Sequence, residues 1–199
     1  MTVFLSFGRG IVFTHSGRRA LTLAKNKSRY AGLDLSLTSP GFAVIDVIDR
    51  VPHLVALSVV KTESSEDQPL RYEVIEAHAL LFFREHKPDA AIVREIWPPS
   101  RNYVQNDKVH GAWSAVDRAL ARLNLAVADN LSPQTVKKTV TGNGRAEKAE
   151  VAEAVRRWLR LPSDYQFRAG YDDSDAAAVC LAYLIRENLI DHIPEVGAA

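Results

Sequence analysis

Three strand-length apolar runs follow one another near the front of the chain, at residues 30–35, 42–48 and 54–61, and the gaps between them are too short to hold a helix. The second and third are rich in Val and Ile, and Ser, Thr, Pro, Gly and Asp fill the breaks, so the simplest arrangement is a three-strand antiparallel meander. The period then changes. Residues 69–86 carry Leu70, Val74, Ala77 and Leu81 on one helical stripe, with Pro69 suited to a first helical position. A fourth apolar run at 90–96 ends in Trp97, Pro98, Pro99 and Ser100, and a long helix follows with Val109, Ala112, Val116, Leu120 and Leu123 in register. A fifth strand is expected at 125–128. Ser132 before Pro133 reads as an N-cap and first-turn pair, Gly142-Asn143-Gly144 as that helix's stop, and two more helices are expected at 146–159 and 172–188. Helices alternating with two further strands after a meander predict an α/β fold with a mixed five-stranded sheet, three antiparallel strands then two parallel, flanked by helices.

Composition bounds what such a fold can do. At 199 residues, 47% hydrophobic and 25% charged, the chain suits one globular domain, expected at 30–190 with a 191–199 tail, and no apolar run is long enough to span a bilayer. The single cysteine, Cys180, excludes an internal disulfide and a cysteine-rich zinc site, so any metal must take oxygen or nitrogen ligands. Charge is unevenly placed. Residues 1–30 hold Arg9, Arg18, Arg19, Lys25, Lys27 and Arg29 and no acid, leaving 19 basic groups against 24 acidic ones in the rest. Residues 1–29 therefore read as a basic arm, either a contact with a polyanion or an organellar transit segment.

Two acids occupy unusual places. Asp34 ends the first strand within Gly32-Leu33-Asp34-Leu35, and Glu95 ends the fourth within Ile92-Val93-Arg94-Glu95. Aspartate is depleted in strands and costly when buried unpaired, so each is either exposed at a strand end or neutralised by something positive. Arg94 points to the opposite face from Glu95 and is not its partner. Asp172 and Asp175, three apart at a helix start, share one face, while Asp173 turns about 100° away. Taken alone they are ordinary complements of the helix dipole. Brought to one sheet end, the four would form the oxygen-rich site that Mg²⁺ or Mn²⁺ requires.

These residues resemble the RuvC-type Holliday junction resolvases of the RNase H-like superfamily. The resemblance spans roughly residues 30–185 and rests on Gly-Leu-Asp34-Leu-Ser-Leu-Thr-Ser-Pro-Gly, on Glu95, on Gly142-Asn-Gly-Arg-Ala-Glu-Lys148 and on Asp172-Asp-Ser-Asp175-Ala-Ala-Ala. It implies that Asp34, Glu95, Asp172 and Asp175 are the catalytic, metal-binding acids, holding two Mg²⁺ ions for which Mn²⁺ can substitute. Lys137 and Lys148 would face the scissile phosphate, and Trp97 would stand where the family wedges an aromatic into the junction. The residue count from Pro88 puts Arg94 at the family's acid position, with Glu95 one further on, and Tyr183 stands where many relatives carry a histidine. The activity implied is paired nicking of four-way DNA by a homodimer in DNA recombination and repair, with a branch-migration helicase as a further candidate partner. The implied compartment is the cytoplasm of a bacterium or phage-infected cell, or an organelle if residues 1–29 are a transit peptide. Part of the long helix's stripe is expected at the subunit interface.

Other basic residues add to this. Arg145 with Lys137, Lys138 and Lys148 brackets the glycine turn, and Asn102, Tyr103, Lys108 and His110 near the long helix could also touch DNA, although a polar helix start is ordinary. A flap- or RNA-cutting nuclease and a non-cutting junction-binding module are the alternatives. Asp34-Leu-Ser-Leu-Thr also resembles a phosphate loop of actin-like ATPases, but those need two such domains and this chain is too short.

Overall fold

The computed structural model describes residues 26–96, 103–168 and 170–192. Strands β1 (Lys27–Asp34), β2 (Gly41–Ile48) and β3 (Val51–Val59) form the meander, and β4 (Ile92–Glu95) and β5 (Asp129–Leu131) extend it in the order β3-β2-β1-β4-β5. β1 pairs antiparallel with β2 and parallel with β4, and β4 pairs parallel with β5, as the mixed-sheet reading requires. Helices α1 (Gln68–His86) and α2 (Tyr103–Arg122) cover one face. The other is covered by α3 (Pro133–Thr141), α4 (Lys148–Trp158) and α5 (Asp172–Arg186). No helix among the described residues is long and apolar enough to cross a membrane.

Alternation along the strands sends residues to the two layers. Ala31, Leu33 and Ile92 meet α1 and α2, while Tyr30 and Val93 meet α5. The caps follow the sequence chemistry: Ser132 accepts from the Thr135 amide with Pro133 behind it, and Gly142 closes α3 at φ 81°.

Four expectations need correction. The α1 stripe lies on the outside: Leu70 is 47% and Leu81 65% exposed, and the helix buries Ile75, Ala79, Phe82 and Phe83 against the sheet instead. Apolar residues occupy both sides of this helix, so periodicity could not choose the face; the larger aromatic volume did. The fifth strand falls at 129–131, not 125–128. Residues 125–131 alternate in burial, but β4 offers only four residues, so ladder pairing begins where Asp129 meets Val93. The first strand begins at Lys27, inside the stretch assigned to the arm, because Lys27 and Arg29 both bond Asp46. Finally, Val109, Ala112, Val116 and Leu120 of the α2 stripe are buried in this chain's own core, which leaves only Leu123 of that stripe partly exposed for a subunit contact.

Candidate active site

Parallel pairing aligns Leu33 with Arg94, so Asp34 and Glu95, one residue on, end adjacent strands on the same face. Arg94 indeed turns away: it binds Asp117 at 3.1 Å and Asn130 at 3.1 Å and lies 4.3 Å over the Trp113 ring. That anchorage fixes the end of β4, and with it Glu95.

The helical acids arrive through close packing. A Cβ on Gly32 would come within 2.2 Å of the Ala176 carbonyl, and one on Gly41 within 2.1 Å of the Asp172 carbonyl. With Ala176 and Cys180 opposite them, these two glycines let α5 lie directly on β1 and β2. The chain enters α5 through two left-handed residues, Gly170 and Tyr171. One carboxylate oxygen each from Asp34, Asp172 and Asp175 lies within 4.8 Å of the others. Glu95 stands beside this trio without belonging to it, close enough that its charge is felt with those of Asp34 and Asp175. Asp173 is buried and accepts from the Arg168 and Ser174 amides, which is structural work.

Burial, followed by the crowding of acids, sets the electrostatics. Burial, with the charges of Asp175 and Asp172, pushes Asp34 up to about 7 against the relief from Lys148. Burial and the charges of Asp34 and Asp175 push Glu95 up to about 8, with Lys137 and Lys148 opposing. Burial also raises Asp175. Lys148 puts Nζ 3.0 Å from Asp175, 3.5 Å from Asp172 and 3.0 Å from the Gly170 carbonyl; burial works against its charge, but these acids hold its pKa above the usual value. An all-oxygen cluster that draws an ammonium into its mouth suits a hard divalent cation.

Lys137 is half-buried near Glu95 and Asp175, while Arg145 and Lys108 are exposed. Trp97, Asn102 and residues 1–25 of the arm lie outside the described residues. Tyr183 packs 6.3 Å from Tyr30, two turns and about 12 Å along α5 from Asp175, so it takes no part in the cluster. Sequence reading missed Ser39, whose hydroxyl donates to Asp172 Oδ2 at 2.5 Å.

A mixed five-stranded sheet with carboxylates at the ends of its two central parallel strands, and a helix delivering two more, defines the RNase H-like class of α/β proteins. A family model, crossover junction endodeoxyribonuclease RuvC, matches residues 30–183. The RuvC of Thermobifida fusca is 32% identical over 166 residues, covering 83% of this chain and 88% of the relative. The Thermus thermophilus RuvC in complex with Holliday junction substrate superposes with a TM-score of 0.71 at 28% identity, over 81% of this chain and 96% of that one. The yeast mitochondrial Holliday junction resolvase Ydc2 shares the fold at 14% identity and a TM-score of 0.58. The chain belongs to the RuvC family of crossover junction endodeoxyribonucleases.

Proposed function

We propose that this protein resolves four-way DNA junctions as a divalent-cation-dependent endonuclease acting in recombination and repair. The observation that carries the reading is the meeting of Asp34, Asp172 and Asp175 within 4.8 Å, with Glu95 alongside, in a chain of this family. Those four carboxylates would hold two Mg²⁺ ions, or Mn²⁺ in their place. When bound, the cations supply Lewis acidity, lowering the pKa of the attacking water and offsetting charge on the departing oxygen.

The chain's own groups do the rest. Asp34 and Glu95, fixed on the sheet, give the site a rigid floor, and Asp172 and Asp175 close it from α5. Lys148 and Lys137 bring positive charge to the scissile phosphate and stabilise the charge that builds there. Arg145 beyond the glycine turn, with Lys108, Trp97 and Asn102, contacts the arms of the junction, and Trp97 packs against an unstacked base. Two copies of the chain bound to one junction place a site on each of two strands, which suits a substrate with two-fold symmetry and yields paired nicks. The basic residues 1–25 add phosphate contacts to an otherwise acidic body. A branch-migration helicase is a fitting partner, and the cytoplasm of a bacterial cell the fitting compartment.

The test is cleavage of end-labelled four-way junction, flap, linear duplex and RNA–DNA hybrid, each with Mg²⁺ and with EDTA, beside Asp34→Asn. Symmetric nicks confined to the junction, lost in EDTA and in the variant, support the reading. Cutting of flap or hybrid would retain the chemistry and discard the junction. Tight junction binding without cutting would reduce the protein to a binding module.

A further inference from the structure

The loop between β1 and β2 is held more firmly than a turn requires. The Thr62 amide donates to the Thr38 carbonyl at 3.0 Å and the Val60 amide to the Pro40 carbonyl at 3.3 Å, so the backbone is tied on both sides of Ser39. The Thr62 hydroxyl donates to the Leu37 carbonyl at 2.6 Å. Arg71, 6% exposed, donates to Thr62 Oγ1 at 2.9 Å and to Thr38 Oγ1 at 3.2 Å. Within the loop, the Ser39 amide donates to Ser36 Oγ at 3.0 Å. A buried guanidinium bonded to hydroxyls and carbonyls here serves to lock a loop, and the side chain at its tip donates to Asp172 Oδ2 at 2.5 Å.

The same segment also meets the Asp172 backbone, since Gly41 lies directly against the Asp172 carbonyl. Backbone and carboxylate of Asp172 are therefore set by residues 39–41. With Oδ2 engaged by the hydroxyl, Oδ1 is the oxygen left free of that bond, and Lys148, which also binds Asp175, lies 3.5 Å from it. We infer that Ser39 is a positioning residue, which orients the Asp172 carboxylate so that one chosen oxygen is offered to a divalent cation. The inference rests on the metal-binding reading of the four acids. Hydrogen bonds that orient a ligating carboxylate typically change metal affinity by about 10–100-fold when removed, and a hydroxyl bonded to a charged oxygen is among the stronger neutral donors.

Mn²⁺ is titrated into wild type, Ser39→Ala, Ser39→Thr and Asp34→Asn, with affinity read by calorimetry or by the fall of the free-ion resonance signal, beside each melting temperature. Ser39→Ala is expected to bind Mn²⁺ on the order of tenfold more weakly. Its melting temperature should stay close to wild type, and its junction cutting should recover at high Mn²⁺. Ser39→Thr keeps the hydroxyl and should bind as wild type. If wild type binds and Asp34→Asn does not, while Ser39→Ala matches wild type, the Ser39 assignment falls and the metal reading stands. Ser39→Thr binding as weakly as Ser39→Ala would also overturn it. A wild type that takes up no Mn²⁺ would sink both.

Discussion

The two ends of β1 treat a carboxylate in opposite ways. Near its start, Arg29 binds Asp46 through two nitrogens at 2.6 and 2.9 Å and Lys27 adds a third contact at 2.8 Å. Hydrogen bonding to Arg29, joined by Lys27, holds the Asp46 carboxyl below the usual range despite burial. At the other end Asp34 shares its space with three more acids and the partial relief of Lys148, and its carboxyl rises to about 7. One acid has more cation than it needs, and the others have less. Fold stability is served at the first end, and the second stores an electrostatic deficit that a divalent cation can fill.

The sharpest way to break the contrast is Asp34→Asn. Junction cutting should fall on the order of a thousandfold or more, while the melting temperature in EDTA at pH 8 rises because one crowded charge is gone. A variant that melts lower would show the cluster to be satisfied without metal. Arg29→Met tests the opposite end. Stripping a nearly buried carboxylate of its main partner should cost about 3 kcal/mol by denaturant unfolding, with cutting per folded molecule unchanged. An equal fall in activity would mean the two ends are not separable.

Acidity should sharpen the contrast further. Asp34 and Glu95 bind protons more tightly folded than unfolded, so apo stability is greatest below their ordinary range and falls as pH climbs toward 7 and 8. A drop of roughly 5 °C in melting temperature between pH 5 and 8 is expected in EDTA, and Mg²⁺ should abolish it. Asp46 carries the opposite sign, its contribution present above its unfolded pKa and lost as pH falls through the lower folded value. A flat apo profile from pH 5 to 8 would contradict the deficit. The smallest effect belongs to the basic arm. Deleting residues 1–25 removes Arg9, Arg18, Arg19 and Lys25, and the slope of log affinity against log salt should shrink by about one unit for each phosphate the arm had neutralised. An unchanged slope would discard the arm as a DNA contact.

What the sequence disclosed was mostly local chemistry. The second and fourth strands, the Ser132-Pro133 cap and the Gly142 stop are decided within a few residues, and they fell close to where they were expected. The face of α1 was not legible, because Leu70 and Leu81 look as apolar as Ile75 and Phe82 until the sheet surface is known. The extent of β5 depended on the length of its partner. Within the site, the oddity of acids at strand ends marked Asp34 and Glu95, and helical spacing paired Asp172 with Asp175. Ser39 stayed hidden because a serine in a Ser-Pro-Gly turn already has a reason to be there, and its bond to Asp172 spans 133 positions. Lys148 gained meaning only through resemblance, since a surface lysine in the first turn of a helix carries no mark of its own.

The bare seam formed by Gly32 and Gly41 governs how the site should respond to heat. At these two positions no strand side chain separates α5 from the sheet, so at the end that carries the acids the helix has little room to slide, and the strand acids and helix acids move as one body. Warming should therefore leave the spacing of the carboxylates intact until the sheet itself gives way. Cutting rate against temperature should climb smoothly and break only at the melting point, without the earlier decline seen where a site is carried on loosely packed parts.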